Sequence, residues 1–169
     1  MIKNIIASAI TMALVSFGAN AANQGQGIVN FKGTVINAPC NIAPESADQS
    51  IDFGQISKSH LENNGISVKK DLNIKLVNCE PNHTVKVTFT GATINGTVNE
   101  LGTAGNTGTA VVISGQDGNL VQFGAEGADQ SLKEGENTLH YSSWVKKATG
   151  DMVKEGDFTA VANFNLTYN

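Results

Sequence analysis

The stretch FTAVANFNLTYN, Phe158 to Asn169, decides how the chain is read. One set of alternate positions holds Phe158, Ala160, Ala162, Phe164, Leu166 and Tyr168; the other holds Thr159, Val161, Asn163, Asn165, Thr167 and Asn169. Period-two alternation predicts a β-strand with one buried and one mostly wet face. The sequence offers no later segment to pair with this strand or cover it. A free edge carrying aromatic and aliphatic side chains invites aggregation unless something covers it. The expectation is therefore an incomplete sheet whose missing partner comes from elsewhere.

The other end, MIKNIIASAITMALVSFGANA, has Lys3, an apolar run from Ile5 to Phe17, and the small residues Ala19, Asn20 and Ala21. This pattern predicts a secretory signal peptide over residues 1–21, cleaved after Ala21. A membrane anchor is the competing reading, but the run of about 13 residues is short for a span. Cleavage leaves 148 of the 169 residues, enough for one domain, and takes the net charge from −4 to −5 through loss of Lys3. Every basic residue is a lysine. An acidic chain without arginine is a poor candidate for nucleic acid or anionic lipid, and no later stretch is apolar enough to be membrane-embedded.

Export bears on Cys40 and Cys79, the two cysteines of the chain. In an oxidising compartment they are expected to form one disulfide, closing a loop of roughly 40 residues that the chain-entropy model values at about 4 kcal/mol. A thiol nucleophile or a metal ligand is the alternative. The spacing matches no zinc pattern, and His60, His83 and His140 are scattered. No phosphate loop or nucleophile elbow appears. The carboxylates Glu134, Glu136, Asp151, Glu155 and Asp157 lie among lysines in turn-like contexts and read as solvated surface. The expectation is no enzyme, no cofactor and no metal.

Between the ends, strand patterns alternate with polar, glycine-rich turns. VNFKGTVIN alternates Val29, Phe31, Gly33 and Val35; DLNIKLVNC alternates Leu72, Ile74 and Leu76; TVKVTFTG alternates Val85, Val87 and Phe89. AVVISGQDGNLVQFG reads as a hairpin about Asp117-Gly118. NTLHYSSWVKK puts Leu139, Tyr141 and Ser143 on one face. IDFGQI reads as a short strand, SKSHLENNG as a helical turn, and Asn95 to Gly108 as a long exposed loop. The whole predicts an all-β sandwich.

The chain resembles the structural pilins of chaperone–usher fimbriae, similar to the major subunits of the type 1 and P-type families. The resemblance runs over nearly the whole length. It is carried by the leader, by NQGQGIVNFKGTV, by NAPCNI around Cys40, by IDFGQI, by LNIKLVNC around Cys79, and by the closing strand. Two details are specific: Gly156, fourteenth from the end, and the penultimate Tyr168. The resemblance implies an incomplete immunoglobulin-like sandwich that lacks its last strand and is completed in trans by a donor strand. It implies no catalytic residue.

On the same basis residues 22–35 are expected to be an N-terminal donor-strand extension with donor face Val29, Phe31, Gly33 and Val35, and residues 36–169 the pilin domain. The acceptor groove and chaperone-binding strand fall on Gly156, Phe158, Ala160, Ala162, Phe164, Leu166 and Tyr168. The implied partners are other copies of the chain and related fimbrial subunits, a periplasmic chaperone and an outer-membrane usher. The implied route is export through the periplasm to an extracellular fimbrium that supports cell adhesion. Ahead of Val29, Gly25 and Gly27 stand where apolar donor residues would be expected, which leaves the outermost donor position unassigned. The competing readings are a secreted stand-alone immunoglobulin-like binding module, which predicts a sealed sandwich, and a minor fimbrial adaptor.

Overall fold

The computed structural model describes residues 27–94 and 96–169. The leader at residues 1–21 and the start of segment 22–35 lie outside the described residues. The chain divides into two units, Met1–Val35 and Ile36–Asn169. In the first, residues 27–35 form neither helix nor strand and are exposed. The alternation of Val29, Phe31, Gly33 and Val35 predicts a strand there and none is present. Alternation supplies a face, but a strand also needs a neighbouring ladder for its N–H and C=O groups.

The second unit contains, in order, β1 (Asn41–Ile42), α1 (Pro44–Ala47), α2 (Lys58–Glu62), β2 (Lys70–Cys79), β3 (Thr84–Thr90), β4 (Leu101–Gly102), β5 (Thr109–Gly115), β6 (Gln130–Ser131), β7 (Gly135–Lys147) and β8 (Asn163–Tyr168). One sheet has the order β1-β2-β7-β5-β4 and the other β6-β3-β8. All pairings are antiparallel.

The alternating patterns place the core between the sheets. Ile74 and Leu76 of β2, Val85, Val87 and Phe89 of β3, and Leu139 and Tyr141 of β7 are buried. Phe89 ties the sheets together, edge-on to Tyr141 at 4.9 Å and tilted against Phe164 at 6.4 Å. Cys40 and Cys79 are disulfide-bonded with Cα atoms 4.1 Å apart, joining the residue before β1 to the last residue of β2. Glu80 N–H donates to the Pro39 carbonyl beside the bridge at 2.8 Å.

Asp117-Gly118 does form a turn, with Gly118 at φ +80° and Gly115 N–H donating to Asn119 O. The return limb makes one bridge, Leu120 to Ser114, rather than a strand. SKSHLENNG contains α2 as expected, while IDFGQI is irregular, not a strand. The exposed loop expected over Asn95–Gly108 is corrected in its second half, where Glu100, Leu101 and Thr107 are buried and β4 pairs with β5. The last strand begins at Asn163 rather than Phe158. Its partner β3 ends at Thr90, opposite Asn163, and between Phe158 and Ala162 the one bridge among the described residues is Thr159 to Ala104.

Candidate functional site

β8 is an edge of its sheet: β3 lies on one side, and no described strand lies on the other. The alternation read from the sequence holds in its burial. Phe158, Ala160, Phe164, Leu166 and Tyr168 are half-buried, and Thr159, Val161, Asn163, Asn165 and Thr167 are exposed. Ala162, placed on the inner face, is exposed. Not one residue of that apolar face is fully covered. Phe164, Leu166 and Tyr168 pack on the core around Phe89, and Phe158 and Ala160 on a second cluster with Leu101, Val111 and Val145.

Beside this edge runs a cleft of about 580 Å³, with Phe158–Phe164 along one wall and Ser46–Ile51 and Phe53 along the other. Its floor includes Leu72, Phe89 and Ile113, side chains of both sheets. A second cleft of about 640 Å³ shares Ile51, Phe53 and Phe158 with the first and reaches Val153 and Gly156. Together they form a groove that opens the apolar interior along the segment leading into β8 and the start of β8 itself. The far wall is fixed by Ser46, whose hydroxyl accepts from Lys75 N–H at 2.9 Å, and by Gln49 Nε2, which donates to the Asn73 carbonyl at 3.0 Å.

The segment that leads into the near wall is bonded by two carboxylates that the sequence pattern does not single out. Glu100 accepts from Lys146 Nζ at 2.6 Å, from Thr149 N–H at 2.9 Å and from the Thr149 hydroxyl at 2.7 Å. Glu62 accepts from Lys147 Nζ at 2.9 Å and Val153 N–H at 2.7 Å. Burial pushes the Glu100 carboxyl up, but the Lys146 and Thr149 hydrogen bonds outweigh it and hold the group below the usual carboxylate range. The hydrogen bond from Lys147, then that from Val153, lowers Glu62. Burial raises Tyr168.

The loop before β5 supports the same wall through backbone. Lys154 N–H donates to Thr107 O at 2.8 Å and Ala104 N–H to Thr159 O at 2.8 Å. Gly105, at φ +98°, and Gly108, at φ +65°, lie so close to the carbonyls of Asp157 and Met152 that neither has room for a Cβ. Gly156 has φ +143°, a backbone conformation that favours glycine. The signal available in sequence was the glycine content of GTAGNTG, which marks left-handed positions but not the backbone that approaches them.

The residues assigned to a donor face lie in the unit Met1–Val35. Phe31 is 91% exposed, and Val29 and Val35 are also exposed. Nothing lies within 4 Å of a Cβ built on Gly33.

Comparison with known proteins places this architecture. The family model described as fimbrial protein matches residues 29–169. The chain is 54% identical over 184 aligned positions to the Pap fimbrial major pilin protein of Escherichia coli, covering 99% of this chain and 100% of the relative. It superposes on the crystal structure of the P pilus rod subunit PapA with a TM-score of 0.74 and 52% identity, covering 78% of this chain and 100% of that one. A solved chaperone–usher pilus gives a TM-score of 0.81 and 54% identity over 86% of this chain and 97% of that one.

Proposed function

The chain belongs to the fimbrial protein family, and from that premise we propose that it is a shaft-type pilin that polymerises by donor-strand exchange. The fold is an incomplete immunoglobulin-like sandwich, and the protein is a structural subunit of a surface fimbria. The observation that carries the mechanism is the groove: an unpaired β8 edge, and a cleft along half-buried Phe158 and Phe164 whose floor includes Leu72, Phe89 and Ile113. In this reading a strand from another chain lies along Phe158–Tyr168, adds to the open edge, and sets alternate side chains into the cleft. This is β-strand addition, for which pilin complementation is itself a standard example.

The donor is residues 22–35 of the next copy. Val29, Phe31 and Val35 enter the groove and Gly33 fills a shallow position. Each large apolar side chain so buried contributes about 1.5–3 kcal/mol, opposed by about 1–2 kcal/mol for each backbone residue ordered. Before polymerisation a periplasmic chaperone covers the same edge, and an outer-membrane usher is where the exchange takes place. A disulfide between Cys40 and Cys79 fits passage through an oxidising compartment. The stand-alone binding module predicted a sealed sandwich, which the open groove disfavours. The rod-subunit likeness favours a shaft role over an adaptor.

SDS electrophoresis of material sheared from cells tests the reading. Unboiled samples should show a ladder of multimers and boiled samples a single subunit band. A single band without boiling would defeat it.

A further inference from the structure

Two carboxylates distant in sequence each bond the end of β7 and its connection to β8. Each takes one ammonium group from the last two residues of β7 and one backbone N–H from the connection: Lys146 and Thr149 for Glu100, Lys147 and Val153 for Glu62. Successive residues of a strand point to opposite faces, so the two lysines draw their carboxylates from opposite sides. Glu100 is buried, ahead of β4, and Glu62 ends α2.

Exposed ion pairs by themselves contribute little. These two differ because each carboxylate also accepts a backbone N–H, a charge-assisted bond, in a segment without a ladder of its own. From Ala148 to Asp157 the chain has no strand, and it leads directly into the groove wall at Phe158. Besides the carboxylates, its described backbone supports are Ala148 N–H to Gly108 O, Asp151 N–H to Ala148 O and Lys154 N–H to Thr107 O.

We infer that Glu62 and Glu100 are positioning residues for the groove: by fixing Val153 and Thr149 they set where the Gly156–Ala162 wall lies, and so whether a donor strand can be captured. The capture half rests on the donor-strand reading; the wall-setting half does not. Lys146 faces Glu100, and Lys147 and Lys58 face Glu62. Asp52, Lys154, Glu155 and Asp157 line the adjoining cleft.

The test is hydrogen exchange on the full chain as isolated, comparing the native protein with a Glu62→Gln/Glu100→Gln double variant. Glu126→Gln serves as control, since Glu126 makes an exposed pair with Lys86 away from the groove wall. At neutral pH the amides of Thr149–Ala162 should exchange at least ~10-fold faster in the double variant, with β2 and β7 unchanged. In the native chain the same amides, corrected for intrinsic rates, should lose protection as pH falls below ~4.3; the double variant should show a flattened profile. Multimers of the variant should separate at a lower temperature. Unchanged local exchange, equal acceleration throughout the chain, or a native pH profile in the variant would each overturn the inference. Glu62→Gln alone keeps the test readable if replacing the buried Glu100 prevents folding, with faster exchange expected at Val153. Absence of multimers from the native chain would remove the fibre reading and the capture half with it, while exchange still judges the wall.

Discussion

On the proposed donor-strand reading, Phe31 and Gly33, both exposed, should separate assembly from folding. Phe31→Asp would put a charge into an apolar groove, costing several kcal/mol unless neutralised. Gly33→Leu would overpack a shallow site, typically by about 1–3 kcal/mol. Both residues belong to the unit Met1–Val35 and not to Ile36–Asn169, so neither change should alter folding of the pilin domain. The expected outcome is normal disulfide formation and chaperone complex with little surface fibre, read by immunoblot of periplasm against sheared material. Normal fibre from both variants would defeat the donor assignment. Cys40 belongs to the fold instead. Cys40→Ser should cost about 2–5 kcal/mol, as loss of a native disulfide does in small secreted domains, seen as a lower urea midpoint of the isolated subunit. An unchanged midpoint would show that the bridge constrains nothing.

At the scale of elements, β2 and β8 should respond differently to the same truncation. Ile74 in β2 is completely buried, so Ile74→Ala should cost about 2–5 kcal/mol in any state of the protein. Leu166 in β8 is half-buried. Leu166→Ala should cost less in the subunit alone and more in the fibre, where a donor strand completes its surroundings. Equal costs in both states, measured by denaturant unfolding, would contradict an open β8 face. The loop before β5 gives a second element-level expectation. Gly105→Ala meets both a positive φ and the Asp157 carbonyl, so it should destabilise by more than about 1 kcal/mol. The exchange increase should concentrate in residues 152–159; exchange that stays native there would show that the loop does not support the wall.

For the whole molecule the charged and phenolic groups bound a pH window. Glu62 and Glu100 have depressed folded values. Their contribution is present above the unfolded carboxylate value, ~4.3, and is lost as pH falls through the lower folded values. Tyr141 and Tyr168 are raised, burial being the leading cause in each. Their contribution is present below the unfolded phenol value, ~10, and is lost as pH rises through the higher folded values. The urea midpoint should therefore fall on both sides of a broad plateau. A midpoint still rising as pH drops from 5 toward 3 would reverse the sign argued for the two glutamates.

The sequence by itself determined the faces. The alternation in DLNIKLVNC, TVKVTFT and NFNLTY named the inward residues because side chains on a strand alternate whatever the strand's partner is. It also determined the family, since the motifs around Cys40, Cys79, Gly156 and Tyr168 are contiguous in the chain. What only the tertiary structure decided is where the ladders stop and which distant residues bond the segment ahead of the groove wall. Phe158–Ala162 alternates as well as Asn163–Tyr168 does, yet the ladder ends with β3 at Thr90. Val29–Val35 alternates too and is no strand in this chain. Glu62 and Glu100 carry no local pattern; their bonds come from meeting Lys147 and Lys146, 85 and 46 residues away. Side-chain alternation is a property of one segment, whereas backbone pairing and ion pairs between distant residues exist only once the fold has set two segments side by side.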